Sequence, residues 1–324
     1  MSASKIDSIT LGTRGSELAL FQARHIAWQL QRQHVEISVK IKTITTSGDK
    51  ILDSPLARIG DKGLFVKEIE NELISGGIDI AVHSCKDLPT GIPAGLMIAA
   101  YGKREDARDA FISGGPARNI DAIRKGARIG TSSLRRRSQL KALRPDLQIV
   151  DIRGNVDTRI RKIKELELDG TVLAAAGIRR LERDDEAAFF FTPEQMVPAV
   201  GQGVIAVESR VDDPAVRKLI ACLNDAGSES AVTAERALMR ELEGGCQVPI
   251  GGHAVVAGGE LVLNAFLGSL DGSEFVRDRI MGPQAEAESL GLELARRMYG
   301  AGGKEILAEV RAAEEGRAPP VNHP

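Results

Sequence analysis

The chain has 324 residues, 43% of them hydrophobic and 27% charged, enough for two or three domains with cores of their own. Its 43 basic residues against 45 acidic ones leave a formal net charge of −2, and only 3% of residues are aromatic, so neither a basic groove nor a base-stacking platform for nucleic acid is expected. No apolar run approaches the roughly eighteen residues a membrane span needs, and Met1-Ser2-Ala3-Ser4-Lys5 leads into a strand pattern without a signal-type segment; a soluble, cytoplasmic protein is expected.

Ala19, Ala23, Ile26, Ala27 and Leu30 recur at helical spacing, and Ile37, Val39 and Ile41 then alternate with Ser38, Lys40 and Lys42 as in a strand. The pattern continues with a helix near 65–73, a strand over 78–82, a helix near 134–143 and strands over 147–152 and 171–175. Helices interleaved with strands predict α/β domains with largely parallel sheets. Glycine and charge cluster at Tyr101-Gly102-Lys103-Arg104-Glu105-Asp106, and Gly201 and Gly203 bracket Gln202; both places are candidate hinges. After about residue 223 the texture changes to a helix over 231–242, a glycine-rich loop, a short strand at 261–263 and a helix near 285–298, a smaller α+β unit. The tail over 314–324, rich in proline and charge, is expected to be disordered.

The glycine-rich loop, Leu242-Glu243-Gly244-Gly245-Cys246-Gln247-Val248-Pro249-Ile250-Gly251-Gly252, sets a thiol between glycine pairs with a proline behind it, which presents the cysteine. A lone cysteine is as readily a small buried hydrophobe, the reading that suits Cys222. Three cysteines at wide spacing, Cys85, Cys222 and Cys246, fit a reducing compartment. Five scattered histidines, with no C-x-x-C or H-E-x-x-H, give no metal pattern, and His83 reads as a structural hydrogen-bonding residue.

Arginines recur where strands run into helices: Arg14 before Gly15-Ser16, Arg135 and Arg136 after Ser132-Ser133, and Arg153 and Arg159 around Gly154-Asn155. A cation at a helix N-terminus opposes the macrodipole, so the repetition asks for a bound polyanion at the carboxyl ends of the strands. A solvated face is the plain alternative for the single run Arg135-Arg136-Arg137. Asp87 follows the strand over 78–82 and falls on the same rim; taken alone it reads as a helix cap or a partner of Lys86.

Several blocks resemble the hydroxymethylbilane synthase (porphobilinogen deaminase) family, in its order and over roughly residues 9–310. They are Gly48-Asp49, Lys62-Gly63-Leu64-Phe65-Val66-Lys67-Glu68, Asp79-Ile80-Ala81-Val82-His83-Ser84-Cys85-Lys86-Asp87-Leu88-Pro89, Gly130-Thr131-Ser132-Ser133-Leu134-Arg135-Arg136, Arg153-Gly154-Asn155-Val156, Pro198-Ala199-Val200-Gly201-Gln202-Gly203 and the Cys246 loop. The resemblance implies two periplasmic-binding-protein-like doubly wound α/β domains, 1–103 with 199–222 and 104–198, and a smaller C-terminal α+β domain over 223–324. It implies a transferase that condenses four porphobilinogen molecules with loss of four ammonia, acting as a monomer with no nucleic acid, membrane or metal. The implied cofactor is dipyrromethane, held by a thioether to Cys246 and contacted by Lys62, Ser84, Lys86, Asp87, Thr131, Ser133, Arg135, Arg136 and Arg159. Asp87 is implied as catalytic, and Arg14, Ser16, Arg153, Arg180 and Gln202 as substrate-binding. Cys85 departs from the family, standing where methionine is common. Two rivals remain from other classes: a non-catalytic solute-binding or sensor protein of the same two-lobed fold, and a thiol-dependent hydrolase with His253 as the nearest base to Cys246.

Overall fold

The computed structural model describes residues 6–50, 63, 65–242 and 248–315; Lys62, Cys246 and the tail past residue 315 lie outside them. Strands β1 (Ser8–Thr13), β2 (Ser38–Thr43), β3 (Ile80–Ser84), β4 (Leu96–Tyr101) and, from much later in the chain, β10 (Ile205–Arg210) form one sheet in the order β2-β1-β3-β10-β4. Helix α1 (Glu17–Gln33) follows β1, and the hydroxyl of Ser16 caps it by accepting the Ala19 N–H at 3.3 Å. Its buried stripe of Ala23, Ile26, Ala27 and Leu30 is the one the spacing predicts. Short helices α2 (Ser47–Lys50) and α3 (Lys67–Ile74) lead to β3, whose first four residues are buried, as suits a central strand covered on both faces.

The second sheet repeats the plan. Strands β5 (Asp109–Ser113), β6 (Arg128–Gly130), β7 (Gln148–Val150), β8 (Gly170–Ala174) and β9 (Ala187–Phe190) lie in the order β7-β6-β8-β5-β9, with α4 (Leu134–Leu143), α5 (Val156–Glu165) and α6 (Ala175–Arg180) following β6, β7 and β8. Phe111, Ile129, Leu140, Val172 and Phe191 pack one face; Ile112, Ile152, Ile163, Leu173 and Ile178 pack the other. In each sheet four of the five strands run the same way, as expected of largely parallel sheets, and one is reversed: β10 runs antiparallel to β3 and β4, and β5 antiparallel to β8 and β9. Each is the first strand after the chain crosses from the other sheet, so each runs against the parallel strands beside it.

Helix α7 (Pro214–Ile220), capped by Asp213 and opened by a proline, returns to the first sheet. Beyond it, α8 (Ala226–Glu241), the antiparallel meander β11 (Ile250–Ala257), β12 (Glu260–Gly268) and β13 (Phe275–Pro283), α9 (Ala287–Met298) and α10 (Lys304–Glu315) enclose a core of their own. Helix α10 therefore runs two residues into the stretch expected to be disordered. One buried carboxylate links this unit to both crossovers. Glu235 of α8 accepts the N–H groups of Gly201 and Ala254, each at 2.7 Å, and meets the Arg104 guanidinium at 2.8 Å. Gly203 has φ of 89°, and a Cβ there would lie 2.4 Å from the Glu105 carbonyl, so the Gly201-Gln202-Gly203 turn needs glycine for close approach of the two crossovers.

Candidate active site

At the carboxyl end of β3 the chain tightens into a 3-10 turn over Cys85–Asp87. The turn buries the Cys85 thiol and leaves the Asp87 carboxylate exposed in a cleft shared with Arg14, Ser16, Gln22, Phe65 and Ser84. Asp87 caps no helix and makes no hydrogen bond or ion pair among the described residues, so neither structural reading of it applies. Gln22, from the buried side of α1, exchanges hydrogen bonds with the Ser84 hydroxyl at 2.9 and 3.2 Å. Arg14 lies 4.3 Å from the Phe65 ring centre and pairs with Asp49 at 2.5 Å. The cap at Ser16 uses an oxygen lone pair, which leaves its O–H free to donate; Ser133, capping α4 through the Arg136 N–H at 3.4 Å, is in the same position.

Cations crowd around Asp87. Burial, then the charge of Arg136, pushes the Lys86 ammonium down to about 8, with Asp87 acting against the shift. Burial and Arg136 likewise lower Arg159 to about 10; Asp87 again opposes, and Arg153 adds to the repulsion. Arg159 donates through Nε to the Gly154 carbonyl at 2.9 Å, while Nη2 of Arg153 is buried with no partner. A buried cationic donor without an acceptor is costly, so this arrangement is suited to an anion.

Arg135 and Arg136 are held inside the protein. Both are 5% exposed and both grip Asp109, the first residue of β5. Arg135 Nη1 reaches Asp109 Oδ2 at 2.7 Å, and Arg136 donates to Oδ1 through Nε at 2.9 Å and Nη2 at 2.7 Å. Burial by itself would raise the Asp109 carboxyl, but the two guanidiniums overcome it and hold the group well below the usual carboxylate range. Asp109 thus gives these two arginines an anion within the protein. Gln202 is also engaged inside the protein: it is 1% exposed, donates to the Ala107 carbonyl at 2.7 Å and accepts from Lys86 at 3.4 Å. Thr131 is buried and accepts the Ser133 N–H at 3.2 Å. Arg180, pushed down to about 10 by burial, donates to the Gly203 carbonyl at 2.7 Å.

Burial pushes the Cys85 thiol up to about 12, so it is inert at neutral pH. Cys222, expected in the core, is exposed beside His34. His83 lies 3.2 Å from the buried Glu208 carboxylate, and His253 is buried in β11 with its pKa lowered by burial to about 4. No group of residues able to hold a metal occurs among the described residues. Sequence reasoning missed Asp109, Gln22 and Glu208. A polar residue within an apolar strand or stripe was the available signal for each: Asp109 before Ala110-Phe111-Ile112, Gln22 between Leu18 and Ile26, and Glu208 after Ile205-Ala206-Val207.

The chain matches two family models, "Porphobilinogen deaminase, dipyromethane cofactor binding domain" over residues 9–218 and "Porphobilinogen deaminase, C-terminal domain" over residues 230–300. Proteins named porphobilinogen deaminase from Trichlorobacter lovleyi and Syntrophomonas wolfei are 51% and 52% identical to it, each over 94% of this chain and covering 97% and 99% of theirs. The protein of that name from Geobacter sulfurreducens is 48% identical over 96% of this chain and 98% of its own. With both models matched in order along one chain, and with relatives of this identity spanning nearly its whole length, the chain belongs to the porphobilinogen deaminase family.

Proposed function

We propose that Asp87 is the catalytic carboxylate of this chain and that Lys86, Arg153 and Arg159 hold the carboxylates of the growing product. The chain is a transferase of tetrapyrrole biosynthesis: it joins four porphobilinogen molecules head to tail into hydroxymethylbilane, with release of four ammonia, using a dipyrromethane cofactor. The observation that carries the residue assignment is one exposed, unpaired carboxylate facing a crowd of cations that lower each other's proton affinity. The unpartnered Arg153 Nη2 fits a ligand bearing acetate and propionate arms. When bound, dipyrromethane supplies the pyrrole end to which the first substrate is joined.

The rest falls to the chain's own groups. Porphobilinogen loses ammonia from its aminomethyl carbon, and positive charge spreads over the pyrrole. The Asp87 carboxylate is placed to stabilise that charge and to accept the pyrrole N–H. Guanidiniums of Arg153 and Arg159 and the Lys86 ammonium hold carboxylates, with Arg14 and the hydroxyls of Ser16, Ser84 and Ser133 as further donors. Arg135 and Arg136 act first as partners of Asp109, fixing the start of α4. Cys246 is assigned the thioether, supported by the inertness of Cys85 and by the glycine loop. The three sheets support domains of 1–103 with 199–222, 104–198 and 223–324. Free thiols at Cys85 and Cys222 and the net charge of −2 support a cytoplasmic protein with no nucleic-acid partner, which we take to be a monomer. Among the described residues no helix is long and apolar enough to cross a membrane.

Asp87→Asn tests the assignment. It keeps the shape and removes the charge, so porphobilinogen consumption should fall roughly a hundred- to a thousandfold with substrate still bound. Near wild-type consumption by the cofactor-loaded variant would sink the role given to Asp87. A solute-binding protein would have no use for that carboxylate and would consume nothing.

A further inference from the structure

The chain has one tryptophan, and it is among the most exposed of its large apolar side chains: Trp28 is 52% exposed, on the outer face of α1. It closes a ladder of rings. Phe21 and His25 lie with centroids 6.4 Å apart and planes 5° from parallel, His25 and Trp28 lie 6.0 Å apart at 26°, and the Arg32 guanidinium sits 4.8 Å from the Trp28 ring centre. Positions 21, 25, 28 and 32 share one helix stripe. The stripe starts at Leu18, which lines the Asp87 cleft and lies 3.6 Å from where a Cβ on Gly177 of α6 would sit. Farther out, the charge of Arg180, also on α6, adds to burial in lowering the pKa of His25. A chain with 3% aromatic residues thus places an open row of rings leading out of its cleft, with Arg180 across from the row and Arg24 and Arg32 on the same helix. The one acidic residue of α1, Glu17, lies in its first turn at the cleft end.

The pocket between Asp87 and α1 has about 410 Å³ of open space, including the part in contact with solvent, near the lower end of what one drug-sized ligand occupies. Its lining comes from the first sheet's side alone, so a chain of six linked pyrroles, two from the cofactor and four added, needs surface beyond it. We propose that the Leu18-Phe21-His25-Trp28-Arg32 stripe of α1 is a binding track for the elongating polypyrrole, with flat rings packing on the aromatic side chains and carboxylates meeting Arg180, Arg24 and Arg32. Electron-rich rings bearing carboxylates match both halves of this surface, ring faces and guanidiniums. The inference rests on the functional reading above and extends it to a site for the later additions.

Trp28 is its own reporter. Cofactor-loaded protein is mixed with one to four equivalents of porphobilinogen, and tryptophan emission is followed alongside the intact masses of the bound intermediates. Emission should change little at the first addition and strongly at the third and fourth. Phe21→Ala and Trp28→Ala should slow the third and fourth additions by about tenfold relative to the first, while Trp28→Phe should recover most of the loss. Full turnover with a silent Trp28 and an unchanged distribution of intermediates in both alanine variants would overturn the track alone. Wild-type protein that takes up no porphobilinogen would overturn the functional reading and the track with it. Emission that varies with protein concentration in the absence of substrate would assign the stripe to a second copy of the chain and also overturn the track.

Discussion

Asp109→Asn is the most demanding test of how the second sheet is held. The two side chains have the same size, so no cavity opens and the whole cost is electrostatic. In the native chain the Asp109 carboxylate is fully buried and takes donors from Arg135 at 2.7 and 3.3 Å and from Arg136 at 2.9 and 2.7 Å, with the Gln202 amide at 3.2 Å from Oδ1. An asparagine retains one acceptor and turns an N–H donor toward guanidiniums that are themselves donors. Both arginine side chains, 6% exposed, then keep their charge without an anion. Breaking a buried pair from one side costs about 3–5 kcal/mol, and with two cations stranded the upper end of that range is expected. Urea unfolding followed by far-ultraviolet circular dichroism gives the loss, with Glu165→Gln as the reference. Glu165 pairs with Arg161 at a comparable 2.8 Å, but the side chains are 48% and 63% exposed, and such i,i+4 pairs are worth only about 0.3–0.5 kcal/mol. If Asp109→Asn unfolded within about 1 kcal/mol of wild type, the triad would not be holding the sheet and Arg135 and Arg136 would return to the ligand.

The other expectations follow from the same charges. Arg153→Leu should leave the urea midpoint in place but weaken retention of the polypyrrole by about 1.5–3 kcal/mol, read from the washout of intermediates, whereas Arg135→Leu should lower the midpoint as well. Lys86 loses its proton near pH 8, so carboxylate retention should weaken as pH rises through that value, and Lys86→Arg should remove the inflection. Burial, then the neighbouring Glu208, raises Glu70 to about 7, with His83 opposing. The fold therefore favours the neutral acid. Its contribution to stability is whole below about pH 4.5 and is lost as pH rises through about 7; thermal melts of Glu70→Gln should show a flatter pH profile over that window.

Elements with a local signature were legible in the sequence. The stripe of α1 and the limits of α4 follow from spacing and from caps that can be read a few residues away. Strand direction has no such signature: β5 and β10 are buried almost throughout, like their neighbours β8 and β3, and their reversal comes from where each crossover enters the sheet. The site divides in the same way. Arginines at helix starts announce a need for negative charge, since each opposes the local dipole. Nothing within a turn or two of Arg135 says that Asp109, 26 residues earlier, meets that need. Arg153 and Arg159 carry the same announcement and find only a backbone carbonyl between them. Arg14 has Asp49 beside it as Arg135 and Arg136 have Asp109, so among the described residues Arg153 and Arg159 are the motif arginines whose guanidiniums make no ion pair, a difference that depends on contacts far apart in the chain.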